Sequence, residues 1–435
     1  MNKRVVITGI GVICPIGHDV ETMWKNLLEG NSGVAKTTLF DAQTFPTQFC
    51  AEVKDYDFKK FVTDHKSHQY AGRNSAFSLG AAAQACKQAG IDVETKTPSD
   101  GINRKRMGIY LGAGEGSLDN LSFFAAVVSG WQNQSQSMDW QKWAQVALSQ
   151  MFAPTELEQE PNMPAAHLAV FTQARGPVRS CLTACAASTQ AIGEATMLIR
   201  RGDADVMITG GAHSMIHPLG ITGFNRLTAL STRNESPTTA SRPFTATRDG
   251  FVIGEGGAIL IIESLEHAQK RGAKPLAEIL GYGSTADAFR VTDMHEDGRG
   301  GAAAIRAAIK DAGIDPTQVQ YVNAHGTSTG ENDLIETRAI KAAFGDHAKK
   351  LCVSSSKAVM GHLIGAAGAT ETIACVMALR DGIIPPTMNL NDPDPELDLD
   401  YVANKPRKAD LKIVMKESFG FGGQNNALVL KKFEE

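Results

Sequence analysis

Residues 180–195 read SCLTACAASTQAIGEA. Ser180 to Ala184 read as a strand end, and from Ala186 onward Ile192, Ala195, Leu198 and Ile199 recur at helical spacing. The stretch predicts a strand, a tight turn and a helix, with Cys185 at the helix N-terminus, where backbone N–H groups lack intrahelical partners. Ala184, Ala186 and Ala187 leave that turn open, so the same N–H groups could hold an oxyanion formed on attack by the thiol. The competing reading is a small hydrophobe in a core, which most buried cysteines are.

Magnitudes show what a nucleophilic Cys185 needs. Bringing a thiol from ~8.5 to about 7 takes roughly 2 kcal/mol. A helix terminus supplies ~0.3–1 kcal/mol. An imidazole is the obvious supplement, and two histidines stand in suitable loops. His325 lies in NAHGTSTG (323–330), after strand-like YVNA, and His362 in SSSKAVMGHLIGAAG (354–368), between a strand and a small-residue helix. Both sit at strand ends, where α/β proteins build sites. Spacing alone does not bring either to Cys185.

The surrounding chain alternates. Strand-like runs at 4–10, 106–114, 205–212, 257–264, 276–283, 321–326, 351–357 and 426–433 are separated by helical patterns at 75–89, 186–201, 301–312 and 334–343. That alternation predicts α/β layers with buried strands. VITGIG (6–11) echoes EILGYG (278–283), and MLIRRG (197–202) echoes MALRDG (377–382), each of the latter ending a helix on glycine. The echoes suggest two halves, 1–272 and 273–435. In residues 131–158, Trp140, Trp143, Ala147, Leu148 and Met151 follow helical spacing and predict one apolar face packed on the main body.

The chain has 435 residues, 43% hydrophobic and 21% charged, with formal net charge −4. This suits a globular protein and argues against nucleic-acid binding, which needs a basic face. RKR at 104–106 reads as a solvated turn. Seven scattered cysteines form no disulfide framework, and no stretch approaches the ~18 apolar residues of a membrane span, so a cytoplasmic protein is expected.

TACAAS (183–188), NAHGTST (323–329), SSSKAVMGH (354–362) and SFGFGG (418–423), in this order, resemble the motifs of the β-ketoacyl-[acyl-carrier-protein] synthases, elongating condensing enzymes of the thiolase superfamily. RVVITGIG, GFNRLTALSTRN, SRPFTATRDGFVIGEGG and EHAQKRGAK extend the resemblance over essentially the whole chain outside 131–158. It implies a thiolase fold, with duplicated halves in a five-layered α/β/α/β/α body, and a homodimer. It also implies an acyl carrier protein as partner, and neither cofactor nor metal. Cys185 then takes the acyl chain, and His325 and His362 bind the malonyl thioester carbonyl through decarboxylation. Lys357 and Glu336 form an ion pair ordering the histidine loops. Backbone N–H groups of Cys185 and Phe421 make the oxyanion hole, with Phe421 gating the pocket. Thr327, Thr329 and Thr292 hold the phosphopantetheine arm. The absence of a cysteine from FGFGG separates the chain from biosynthetic thiolases, and His362 separates it from initiating synthases with Asn there.

Three positions depart from the family pattern. Glu115 in GAGEG stands where an apolar residue usually lies near the acyl pocket, and buried there it would need a partner, water or a polar acyl chain beside it. Arg290 and Asp293 in DAFRVTD replace a usual His and a small residue. They point away from a plain saturated fatty chain, towards specialised polyketide, polyene or lipid synthesis. Other readings are weaker. GIGVICPIG lacks a dinucleotide fingerprint, and Cys181, Cys185 and the histidines match no zinc spacing. A silent carrier-protein-binding partner would not need the complete Cys-His-His set. Lys59, Lys60, Lys66 and Arg73 are candidates for a basic rim that docks the carrier protein.

Overall fold

A computed structural model describes residues 3–290 and 294–434. Ten strands form the main sheet: β1 (Val5–Ile13), β2 (Met107–Gly112), β3 (Val178–Cys181), β4 (Val206–His213), β5 (Gly256–Ser264), β6 (Ala277–Ala286), β7 (Tyr321–Asn323), β8 (Cys352–Ser354), β9 (Ile413–Gly420) and β10 (Gln424–Lys432). Their hydrogen-bonded order is β8-β7-β9-β10-β6-β1-β5-β4-β2-β3. Read inward from either edge, the pattern is the same. Three parallel strands, β3-β2-β4 or β8-β7-β9, are followed by two antiparallel ones, β5-β1 or β10-β6. Among the described residues the two sections pair where Val5, Val6 and Ile7 face Ile279, Glu278 and Ala277.

Eight helices frame the sheet and the site: α1 (Arg73–Ala89), α2 (Asn120–Gly130), α3 (Trp140–Gln150), α4 (Met163–Thr172), α5 (Ala187–Arg201), α6 (Arg299–Ala312), α7 (Gly330–Phe344) and α8 (Ala367–Asp381). α5 packs on β4 and β2 of one section and on β6 and β10 of the other; α8 likewise touches β9, β10, β5 and β4. These two helices form a central layer between the sections. α1 and α4 cover the outside of the first, and α6, backed by α7, that of the second. The result is the duplicated five-layered α/β/α/β/α thiolase arrangement. α8 is buried from Ala367 through Leu379, where every residue but Glu371 is small or apolar.

The sequence echoes mark equivalent places. β1 bulges at Thr8 and β6 at Leu280. The glycines beyond each bulge meet outer helices in the same way. A Cβ on Gly9 or Gly11 would lie 2.1 or 2.0 Å from the carbonyl oxygens of Ala85 or Ala81, and one on Gly281 or Gly283 would lie 2.2 or 2.1 Å from those of Ala308 or Ala304. α5 and α8 end on left-handed Gly202 and Gly382, with φ 83° and 64°.

Two expectations are corrected here. RKR at 104–106 is not a solvated turn: Arg104 is buried against Asp100, and Arg106 pairs with Asp205 at 2.6 Å. Of the α3 residues only Ala147 is buried, while Trp140 and Leu148 are 68% and 88% exposed. α3 packs on α2 instead of the sheet, so one helical face was too simple a reading. The whole excursion is tied down at Glu158. Its carboxylate accepts from Gly72 N–H and Ser75 Oγ and meets His167 Nε2 at 2.8 Å.

Candidate active site

Cys185 sits in the short turn Ala184–Ala186 that leads from β3 into α5. Ala184 has φ 48°, the left-handed region that disfavours a side chain, so the turn holds local strain next to Cys185. The tip of the β9–β10 hairpin closes against it. A Cβ on Gly420 would lie 2.8 Å from the Thr183 carbonyl oxygen, so the close approach needs glycine. The backbone N–H groups of Cys185 and Phe421 both reach the sulfur.

Two histidines from the second section arrive at the same point. The His362 backbone docks on the strand-like segment at Val252–Gly254, donating its N–H to the Val252 carbonyl at 2.7 Å. Its Nε2 lies 2.9 Å from Cys185 Sγ. Its Nδ1 accepts from the Ile364 N–H at 3.3 Å, which leaves the ring proton on Nε2, facing the sulfur. Phe251 packs edge-on against the ring at 5.2 Å between centroids. His325 follows β7, its ring 5.3 Å from that of His362 and nearly perpendicular to it. One ligand atom each from Cys185, His325 and His362 lie within 4.8 Å of one another.

The His325 loop is held from below. Glu336, on α7, accepts the N–H groups of His325 (2.5 Å) and Gly326 (2.7 Å). Lys357 Nζ donates to the His325 carbonyl at 2.6 Å. The expected Lys357–Glu336 ion pair is absent among the described residues. Lys357 instead pairs with Glu371 of α8 at 2.5 Å, and Lys416 of β9 meets the other oxygen of Glu371 at 3.0 Å. Glu336 needs no cation because two backbone donors already satisfy it. Beside it lies Glu417, also fully buried. Sequence reasoning missed Glu371, Lys416 and Glu417. Their signal was present, as charges inside the apolar runs GATETIACV and IVMKESFG.

Burial governs the titration of the site. It pushes the Cys185 thiol up to about 12, opposed by Lys357 and by the N–H groups of Cys185 and Phe421. It holds His325 and His362 well below the usual imidazole value, reinforced by Lys357. It raises Glu336 to about 7, with Asp333 adding to the rise, and Glu417 well above its ordinary range, with Glu336 adding to it. The expectation that an imidazole would bring the thiol down towards 7 is not met. Desolvation outweighs every stabilising contact, and the neutral imidazole donates a hydrogen bond without ionising the sulfur.

A cavity of about 420 Å³ opens onto the three groups. Phe421, 39% exposed, and Thr327 and Thr329 line it. The two hydroxyls lie 2.9 Å apart, and Thr329 also caps α7 through the Asn332 N–H. Thr292 and Asp293 lie outside the described residues. Glu115 is exposed in the single chain and is not among the residues that line this cavity. Arg290 stacks over the Phe289 ring at 5.2 Å. Lys59, Lys60 and Lys66 are exposed on short turns, but Arg73 is engaged by Glu255 at 2.5 Å and does not belong to a free basic rim. The Cys-His-His donors have the chemical types of a soft-metal site, yet Lys357 and Lys416 sit close enough to depress both imidazoles, which opposes a further cation.

Residues 2–268 match the family described as Beta-ketoacyl synthase, N-terminal domain, and residues 276–391 the corresponding C-terminal domain. The chain is 43% identical, over 99% of both chains, to the 3-oxoacyl-[acyl-carrier-protein] synthase 2 of Coxiella burnetii. It is 42% identical to the protein of that name from Staphylococcus aureus, over 100% of this chain and 99% of the other. Among solved structures, a β-ketoacyl synthase from Burkholderia phymatum superposes with TM-score 0.87 at 32% identity, covering 99% of this chain and 100% of the other. A ketosynthase of a type II polyketide synthase, bound to the hexaketide and in complex with its acyl-carrier protein, gives 0.85 at 32%, covering 100% of both. No helix among the described residues is long and apolar enough to cross a membrane.

Proposed function

The chain belongs to the β-ketoacyl synthase family, and we propose that Cys185, His325 and His362 carry out its decarboxylative Claisen condensation on carrier-protein thioesters. The observation that carries this reading is the convergence of one sulfur and two neutral imidazoles at the floor of one cavity.

The first step is thioester exchange. Cys185 Sγ attacks the acyl carbonyl of a phosphopantetheine thioester, and the N–H groups of Cys185 and Phe421 receive the oxyanion. The incoming thiol loses its proton as the departing pantetheine sulfur gains one, so no lasting thiolate is required. This is consistent with a buried thiol held near 12. In the second step malonyl-carrier protein enters. The imidazoles donate to its thioester carbonyl, and the C–C bond to the carboxylate breaks, giving carbon dioxide and an enolate. The enolate carbon attacks the acyl-Cys185 carbonyl, the C–S bond breaks, and the sulfur regains a proton. The β-ketoacyl product leaves on the carrier protein, two carbons longer. Imidazoles held neutral keep their N–H dipoles aimed without adding charge to the resting site. Lys357, Glu336 and Glu371 act as positioning residues, holding the His325 loop. Thr327 and Thr329 take the pantetheine arm, and Phe421 gates the pocket.

An acyl carrier protein is the macromolecular partner. A second copy of the chain joins at the outer edge of β3, where Val178 and the following Leu182 are exposed. The chain works in the cytoplasm as two fused halves, 1–272 and 273–435, and serves fatty-acid or polyketide synthesis. Malonyl-carrier protein carrying an isotope in its free carboxyl tests the second step. His325→Ala and His362→Ala should each lower labelled carbon dioxide release about 100–1,000-fold, the usual effect of removing a preorganised donor. Release unchanged in both variants would contradict the assignment.

A further inference from the structure

One buried acid has no role in this mechanism. Glu417 of β9 is fully buried, and among the described residues neither of its carboxyl oxygens finds a hydrogen-bond donor. Residues two apart along a strand share a face. Lys416 and Ser418 point to the central layer, where Lys416 Nζ meets Glu371 at 3.0 Å and Ser418 Oγ lies 2.7 Å from Thr189 Oγ1. Glu417 therefore points the other way, with Phe419, towards α6 and α7. A Cβ on Gly301 of α6 would lie 3.1 Å from the Phe419 ring, and Ala427 stands opposite Glu417 on β10. The group that Glu417 meets there is a second carboxyl, Glu336 of α7, within hydrogen-bonding reach.

Two ionised carboxyls here would face each other with no donor between them, and a buried charge without a partner is strongly disfavoured. The neighbouring charges do not resolve that conflict. Asp333 of α7 adds a like charge, while Lys357 and Lys416 are both committed to Glu371. A neutral carboxyl carries one O–H, so a protonated Glu417 supplies the missing donor itself. Burial and the charge of Glu336 act in that same direction. Glu336 is in turn the anchor of the His325 loop, accepting the N–H groups of His325 and Gly326 and, at 3.3 Å, Asn332 Nδ2. His325 Nδ1 has no partner among the described residues, so the aim of the ring depends on how its backbone is held.

We infer that Glu417 is a positioning residue for decarboxylation: as a neutral acid it donates a hydrogen bond to Glu336, tying β9 and α7 to the His325 loop at one carboxyl. The inference rests on the reading of His325 as a donor to the malonyl thioester carbonyl. Without that tie the side of Glu336 turned to the sheet is left against hydrocarbon, and the carboxyl is free to turn away from the two loop N–H groups. Acylation of Cys185 draws on the N–H groups of Cys185 and Phe421 and not on His325, so the tie serves the second step of the reaction alone.

Two measurements on the intact chain test it. In infrared difference spectra at about pH 8, where a solvated glutamate is ionised, the wild type should show a protonated-carboxyl band that shifts in D2O. Glu417→Gln should lose that band and no carboxylate band; loss of a carboxylate band instead would show Glu417 ionised and overturn the inference. Function is read by partition between the two steps. Glu417→Leu should lower labelled carbon dioxide release from malonyl-carrier protein about tenfold, the effect of losing one hydrogen bond to a charged group, while Cys185 is acylated as in the wild type. Glu417→Gln, whose amide donates in place of the O–H, should retain much of the release and guards against misfolding of the leucine variant. Wild-type release in Glu417→Leu, acylation lost in step with release, or release lost as fully in Glu417→Gln would each overturn it. His325→Ala separates the two readings. If it lowers release and Glu417→Leu does not, this inference alone fails; if neither lowers release, the assignment of His325 fails with it.

Discussion

Thr183-Ala184-Cys185-Ala186-Ala187 and Leu363-Ile364-Gly365-Ala366-Ala367 are the same turn, built once in each half. Ala184 and Ile364 both adopt the left-handed region, at φ 48° and 47°. Each turn opens a helix of the central layer, and each helix stops on a left-handed glycine. The two turns grip one another: Ser188 Oγ accepts the Ala369 N–H at 2.9 Å, and a Cβ on Gly368 would clash with Thr189 Oγ1 at 2.0 Å. Chemistry separates them. The first turn holds a thiol where the second holds Gly365. Three residues upstream, the second carries buried His362 where the first carries Leu182, 55% exposed. Duplication supplied two equivalent backbones facing one point. Divergence then gave one a thiol and the other an imidazole, so on the proposed mechanism neither half holds a complete site.

The strongest way to break this comparison is to move the thiol. Cys185→Ala should show no acyl mass increase with an acyl-carrier protein, and Cys185→Ala/Gly365→Cys should not restore it, because the second turn lacks both the Phe421 N–H and the His362 contact. An acyl adduct at residue 365 would show that the turns are chemically interchangeable. Next in size is the charged layer beneath the histidines. Glu371→Gln leaves the Lys357 and Lys416 ammoniums buried without a carboxylate, and stability should fall by about 3–5 kcal/mol in chemical denaturation. A loss under about 1 kcal/mol would mean that this network does not hold the site.

Smaller and more exacting is the match between the bulged strands. Gly9→Ala and Gly281→Ala should each lose about 1–3 kcal/mol through forced contact with the Ala85 and Ala308 carbonyls, and the two losses should be alike. A large difference would show that the helices of one half yield more readily. The smallest expected effect is one of pH. His325 and His362 are held well below 6.5, so both stay neutral where a free imidazole would be half protonated. Malonyl decarboxylation should therefore stay level as pH falls from ~7.5 to about 6. A decline centred near 6.5 would show that the rings titrate as if solvated.

The sequence made the layers legible wherever apolar runs were continuous, as in β1, β4, β5, β6 and β10, and it placed Cys185 at a strand–turn–helix junction because small residues surround it and helical spacing follows it. Gly9 and Gly281 were visible as a faint repeat whose steric reason emerges only when α1 and α6 are seen against them. β9 was overlooked because Lys416 and Glu417 interrupt its apolar run. Lys416 is buried by its ion pair with Glu371, 45 residues away in sequence, and Glu417 lies against Glu336, 81 residues away, which no local pattern reveals. Glu336 looked like the partner of Lys357 because both matched family positions, but the backbone of the His325 loop claims its oxygens. The α3 face was misread because helical periodicity shows where apolar side chains line up and not whether the main body covers them.

On the proposed mechanism one sulfur carries the acyl chain and gives it up to a carbanion made beside it. The direct measurement is a chase: load the protein from an acyl-carrier protein, map the adduct by peptide mass spectrometry, then add malonyl-carrier protein and follow both adduct and product. The expected result is an acyl group on Cys185 alone, cleared as carbon dioxide and a β-ketoacyl thioester two carbons longer form together. An adduct on another residue, or one on Cys185 that persists while product forms, would contradict it.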